Sequence, residues 1–120
     1  MTTKTLTRVF GRVTLLCWIT IVSGLSIASA DDIADGKEVA FDRKKGNCLA
    51  CHMISDGALP GNIGPPLIAM KDRFPDKAAL RAQIWDSTVS NPNTIMPPFG
   101  RNRILSEQEV DLVTEFIYSL

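Results

Sequence analysis

The sequence predicts an all-α fold of about three main helices, and three observations carry that prediction. Residues 33–44, 76–89 and 106–120 place apolar side chains three and four positions apart, the spacing of one helix face. No segment alternates apolar and polar residues as a half-buried strand does. The connections at 56–67 and 90–103 are rich in Gly, Pro and Asn, and loops that long in a small domain need something to wrap around.

Residues 1–30 read as a secretory signal peptide that is removed. Lys4, Arg8 and Arg12 form a basic start, Val13–Gly24 an apolar run, and Ala28-Ser29-Ala30 the small residues that a signal peptidase recognises. The run falls short of the roughly twenty residues a membrane span needs. The expectation is export to the periplasm, cleavage after Ala30, and no membrane span in residues 31–120. Cys17 leaves with the leader, since Leu16 is too large to precede a lipoprotein cysteine. Cys48 and Cys51 then remain, and no structural disulfide is expected.

Residues 31–120 make one domain, small enough to be marginal on its own apolar burial. Losing Lys4, Arg8 and Arg12 from thirteen basic residues leaves ten against thirteen acidic ones, a net charge of −3. That balance gives no footing for nucleic acid or an anionic membrane. The first helix is expected over Ile33–Lys44, capped by Asp31 or Asp32, with Gly46 as its stop. Its apolar side is Ile33, Val39, Ala40 and Phe41. The second is expected over Asp76–Val89, with Ala79, Leu80, Ile84 and Val89 inward and Trp85 beside them. The third starts at a Ser106/Glu109 capping box and carries Val110, Leu112, Val113, Phe116 and Ile117.

Between the first two helices, residues 48–52 read Cys-Leu-Ala-Cys-His, and His52 is the only histidine. This is the attachment signature of a c-type haem. Two thiols three positions apart can form thioethers to the two vinyl groups on one porphyrin edge. The next residue then lies under the iron, where imidazole binds as proximal ligand. A redox Cys-x-x-Cys would want a βαβ setting, which is absent. A structural zinc needs four ligands, and this motif supplies three.

With one histidine, the iron's other axial position falls to methionine. Met53 is too close to His52 to reach the far face. Met70 reads as a core side chain, on a short helix if any. Met96 precedes Pro97 and Pro98, which favour an extended, stiff backbone suited to holding a soft ligand at a fixed distance. The expected metal ligands are therefore His52 and Met96, with haem c attached at Cys48 and Cys51.

These residues resemble class I cytochrome c. The helix before the Cys-x-x-Cys-His motif, the Gly64-Pro65 pair with Leu67, the Met96 loop and the final amphipathic helix carry the likeness. The resemblance implies that the Pro65 carbonyl accepts a hydrogen bond from His52 Nδ1, that Leu67 packs on the haem, and that the first and last helices cross closely at Gly36. The role of Phe41 is less plain, because it lies near the end of its helix.

Residues 46–52, the Gly-Asn-Ile-Gly-Pro-Pro-Leu run and Met96-Pro97-Pro98-Phe99-Gly100 are further similar to the SoxX family, the small monohaem subunits of SoxAX complexes. That resemblance implies a heterodimer with a SoxA-type cytochrome. It implies relay of electrons from the oxidative coupling of thiosulfate to a cysteine of the SoxYZ carrier, toward a downstream soluble cytochrome c. The bond-making chemistry (L-cysteine S-thiosulfotransferase) belongs to the haem of the larger subunit, so this chain is expected to be the electron-transfer subunit and to hold no catalytic residue. The alternative is an independent diffusible carrier, which would dock through a one-signed charge ring that the sequence does not display. A haem-based sensor would need an open sixth position. Trp85 is expected to pack against the haem, and Arg73 and Arg81 to be solvated surface.

Overall fold

The computed structural model describes residues 29–120. The leader read from residues 1–30 lies, apart from Ser29 and Ala30, outside the described residues. Among the described residues four α-helices occur in order: α1 (Ala30–Phe41), α2 (Met70–Arg73), α3 (Lys77–Trp85) and α4 (Glu107–Tyr118), with a 3-10 turn at Cys48–Ala50. There is no strand among the described residues, as the sequence predicts, and no helix among them is long and apolar enough to cross a membrane.

The frame is the crossing of α1 and α4. An amphipathic α4 buries Val110, Val113, Phe116 and Ile117 on one face, and α1 lays Gly36, Val39 and Ala40 against it. The rings of Phe41 and Phe116 meet edge to face, 5.8 Å apart and 82° inclined, a favoured aromatic arrangement. That contact gives Phe41 its role. The crossing is close because Gly36 has no side chain. A Cβ built there would lie 2.0 Å from the Leu112 carbonyl oxygen.

The caps decide where the helices begin. Ser106 Oγ accepts from Glu109 N–H at 3.2 Å, while the Glu109 carboxylate accepts from Ser106 N–H at 2.9 Å. Both satisfy N–H groups that the helix leaves orphaned. Lys45 reaches Glu109 at 2.7 Å, and the Lys45 ammonium holds that carboxyl below the ordinary glutamate range. Ser106→Ala is expected to cost about 1 kcal/mol of stability, read as a lowered urea midpoint at unchanged slope.

Both ends of α1 differ from expectation. α1 begins at Ala30 because Ser29 forms its own capping box with Asp32, both bonds at 3.1 Å. Asp31 and Asp32 sit inside the first turn instead of capping it. α1 ends at Phe41, and Lys44 and Lys45 lie in the next turn. There the Asp42 carboxylate takes Lys44 N–H at 2.8 Å, and the Asp42 carbonyl takes Lys45 and Asn47 N–H at 3.0 Å each. Such a local alternative competes with helix continuation.

α3 is capped by Asp76, which accepts from Ala78 N–H at 2.9 Å. It stops at Trp85, short of the predicted Val89, because the Asp86 side chain turns to bond Thr88 N–H and Oγ1. Leu80 and Ile84 are buried as expected. Ala79 is exposed, and so is Val89, at 80 %. The helix has ended before Val89, so its face no longer points at α4. Lys77–Glu115 and Arg81–Asp111 ion pairs tie α3 to α4.

Candidate haem site

The Cys-x-x-Cys-His motif is shaped by the turn that leaves α1. Gly46 N–H returns to the Val39 carbonyl at 3.1 Å, and Asn47 takes a left-handed conformation (φ 47°). The chain then enters the 3-10 turn, where the Cys48 carbonyl accepts from Cys51 N–H at 3.2 Å and His52 N–H at 2.9 Å. This winding gathers both sulfurs and the imidazole on one side. Cys48 and Cys51 are not joined in a disulfide. Burial pushes the Cys48 thiol up to about 11, with Cys51 adding to the effect.

Residues 61–67 run alongside the motif in the same direction. Gly61 N–H bonds the Leu49 carbonyl at 2.7 Å, Gly64 N–H the Cys51 carbonyl at 2.8 Å, and Leu67 N–H the Met53 carbonyl at 2.9 Å. This brings the Pro65 carbonyl to 2.7 Å from His52 Nδ1. A carbonyl oxygen can only accept, so Nδ1 is the donor, and in the neutral ring Nε2 is the nitrogen with the lone pair. Gly64 makes the approach possible, since a Cβ there would stand 2.4 Å from the imidazole Cε1.

Met96 is held from both sides of its peptide. Its N–H bonds Thr94 Oγ1 at 3.1 Å, and its carbonyl accepts from Ser87 Oγ at 2.7 Å. The loop beyond it is stapled to the end of α3. The Trp85 carbonyl takes Gly100 and Arg101 N–H at 3.1 and 3.2 Å, and Arg101 reaches the Asp86 carboxylate at 2.8 Å. Ser87, Thr94, Asp86 and Arg101 do not stand out in the sequence as site residues. The polar run Asp86-Ser87-Thr88 directly after a helix is the available signal, since such side chains seek backbone partners.

Cys48, Cys51, His52, Pro65, Leu67 and Met96 all line one cavity of about 550 Å³, within the range of cofactor sites. Its depth is closed by core side chains, among them Met70, Ile84, Phe99, Leu105 and Ile117. Met70 is 1 % exposed on α2, the core position expected of it. Ile63 and Ile95 also line the cavity, yet are 64 % and 73 % exposed. The cationic linings are Arg43, Lys44, Lys45 and Arg73, and no Asp or Glu takes part.

This cradle fits a haem c. Two cysteine sulfurs, the imidazole, a thioether and apolar walls converge, and cations are present to meet propionates. Arg73 differs from the solvated reading: although exposed, it lines the cavity and donates to the Pro66 carbonyl at 2.7 Å. Trp85 also differs. It does not line the cavity but stacks under Gly100, where a Cβ would stand 2.0 Å from the ring, and beneath Arg81 at 5.5 Å. The short α3 turns the indole toward the Gly100 backbone.

The Asp86 carboxyl is held below the usual carboxylate range, first by the Thr88 hydroxyl and further by Arg101. A depressed folded-state pKa stabilises above the unfolded value near 4 and is lost as pH falls through the folded value. Stability is therefore expected to decline below about pH 4, with a shallower decline in Asp86→Asn, measured as thermal midpoint against pH.

Residues 31–117 match the family described as cytochrome c oxidase, cbb3-type, subunit III. The chain belongs to that family, and the domain is a cytochrome c electron-transfer module. Among solved structures, a chain in the crystal structure of SoxXA from P. pantotrophus is similar at 28 % identity and a TM-score of 0.65, over 72 % of this chain and 79 % of that one. The protein is thus a SoxX-like cytochrome. No curated protein sequence matches the chain.

Proposed function

We propose that this chain is the monohaem electron-transfer subunit of a SoxAX-type thiosulfate-oxidising complex. The reading includes export to the periplasm with cleavage after Ala30, which would pass the capping of α1 from Ser29 to Asp31 or Asp32. The observation that carries it is the convergence of Cys48, Cys51, His52 and Met96 on one cavity, in a chain similar to one in the SoxXA crystal structure.

Cys48 and Cys51 would hold a haem c there through thioethers, and the group would supply one-electron redox chemistry. His52 offers Nε2 as proximal ligand. Pro65 fixes the ring and raises its basicity by taking the Nδ1 proton in a hydrogen bond. Met96 supplies a soft second ligand, which favours a higher reduction potential than a harder donor would. Leu67 contributes an apolar wall. With His52 and Met96 both holding the iron, the chain would offer thiosulfate no position on the metal, and its task would be outer-sphere transfer.

Joining thiosulfate to a thiol on a SoxYZ-type carrier as an S–S bond releases two electrons and one proton. On this reading the bond forms on the SoxA-type partner. This chain takes the electrons singly and passes them to a downstream cytochrome c. Size-exclusion chromatography of the native periplasmic fraction tests the assignment. The expected result is co-elution with a larger haem-bearing chain as a heterodimer. Elution only as a free monomer, with salt-sensitive electron transfer to several unrelated partners, would instead establish the diffusible carrier.

A further inference from the structure

We propose that Ser87 is a positioning residue for the sixth iron ligand, its buried hydroxyl fixing the Met96 peptide and thereby the place of the thioether. The inference rests on Met96 binding the iron. Ser87 is 0 % exposed, and Oγ donates to the Met96 carbonyl at 2.7 Å. It lies just past α3, which is tied to α4 through Lys77–Glu115 and Arg81–Asp111.

The neighbouring loop explains why this bond matters. Pro97 and Pro98 have no N–H to offer. The backbone donors beyond Met96 that reach α3 are those of Gly100 and Arg101, both to the Trp85 carbonyl. On the near side, Thr94 Oγ1 takes the Met96 N–H, but Thr94 belongs to the same loop. The Ser87 hydroxyl thus joins the ligand residue itself to the helical frame. Losing it leaves Pro97 and Pro98 as a stiff arm that can swing about its Gly100 end. A thioether on such an arm spends more time away from the metal, and an external ligand competes more easily.

A second buried hydroxyl supplies the comparison. Thr114 Oγ1 donates to the Val110 carbonyl at 2.7 Å and is 3 % exposed, but its bond lies within α4 and touches no loop. Imidazole titration of the ferric, haem-loaded protein, followed by absorbance, reads the difference. Ser87→Ala is expected to tighten imidazole binding about tenfold, the scale of one net hydrogen bond. Thr114→Val should stay within about twofold of wild type. Met96→Ala should exceed both. Ser87→Ala matching Thr114→Val, while Met96→Ala binds tightly, overturns the positioning role and leaves Met96 as ligand. Met96→Ala matching wild type overturns both. If Ser87→Ala does not retain haem, Thr94→Val takes its place: about threefold tighter binding supports anchoring of the Met96 peptide, and wild-type affinity overturns it.

Discussion

Met96→Ala is expected to convert a closed iron site into one that binds carbon monoxide in the ferrous state. An internal ligand lowers the apparent affinity of an external one by the fraction of time the site is free. If Met96 occupies the metal about 99 % of the time, removing it raises carbon monoxide affinity roughly 100-fold. The reduction potential should fall as well, because a thioether favours the reduced metal relative to water. Met70→Ala is the informative contrast, since Met70 lines the same cavity and is more deeply buried. Losing that core side chain is expected to cost about 2–5 kcal/mol of stability while the iron stays six-coordinate. Difference spectra of the two reduced variants under carbon monoxide check the pair. A Met96→Ala protein that refuses carbon monoxide would exclude this methionine as ligand.

The contrast between Met70 and Met96 also shows what kind of information the sequence holds. Both are apolar thioethers, and composition cannot separate them. The two prolines after Met96 offer a distinction, because their stiffness is a property of adjacent residues. The Ser106/Glu109 box and the Cys-x-x-Cys-His spacing are local in the same sense, and all three are legible. The ends of α1 and α3 are less so. α3 stops where Asp86 bonds Thr88 and Arg101, and Arg101 lies fifteen positions away, beyond any periodicity window. An inward Val89 extends a helical face past that stop. Ser87 escapes notice for a related reason: its partner is a carbonyl nine positions on, with no side-chain signature to mark it. Trp85 misleads because a large aromatic near a cofactor suggests contact with it, whereas Gly100 offers the indole a flat backbone at closer range.

At Gly36, adding a single carbon is expected to destabilise the protein, reversing the usual preference of a helix interior. Alanine is favoured over glycine in a helix by about 1 kcal/mol, and Ala34, exposed on the same helix, should show this: Ala34→Gly is expected to lose about that amount. At Gly36 the added Cβ would stand 2.0 Å from the Leu112 carbonyl oxygen, 2.6 Å from its carbon and 3.0 Å from Phe116 Cβ. Two of these atoms are helical backbone and cannot rotate aside, so α1 and α4 must separate. Separation loosens the Phe41–Phe116 contact and the burial of Val39, Val113 and Ile117 together. Overpacking typically costs about 1–3 kcal/mol, occasionally more, and rigid backbone places Gly36→Ala at the upper end. A net loss of about 2 kcal/mol remains after the propensity gain. Gly36→Val, larger and β-branched, should lose about 3 kcal/mol or more, a fall in thermal midpoint of roughly 12 °C or more at this size. Thermal unfolding of the haem-loaded variants tests the sign as well as the size. If Gly36→Ala melted higher than wild type, the helix crossing would have to be looser than the Gly36–Leu112 approach requires, and the frame that brings His52 and Met96 to one cavity would need to be held by other contacts.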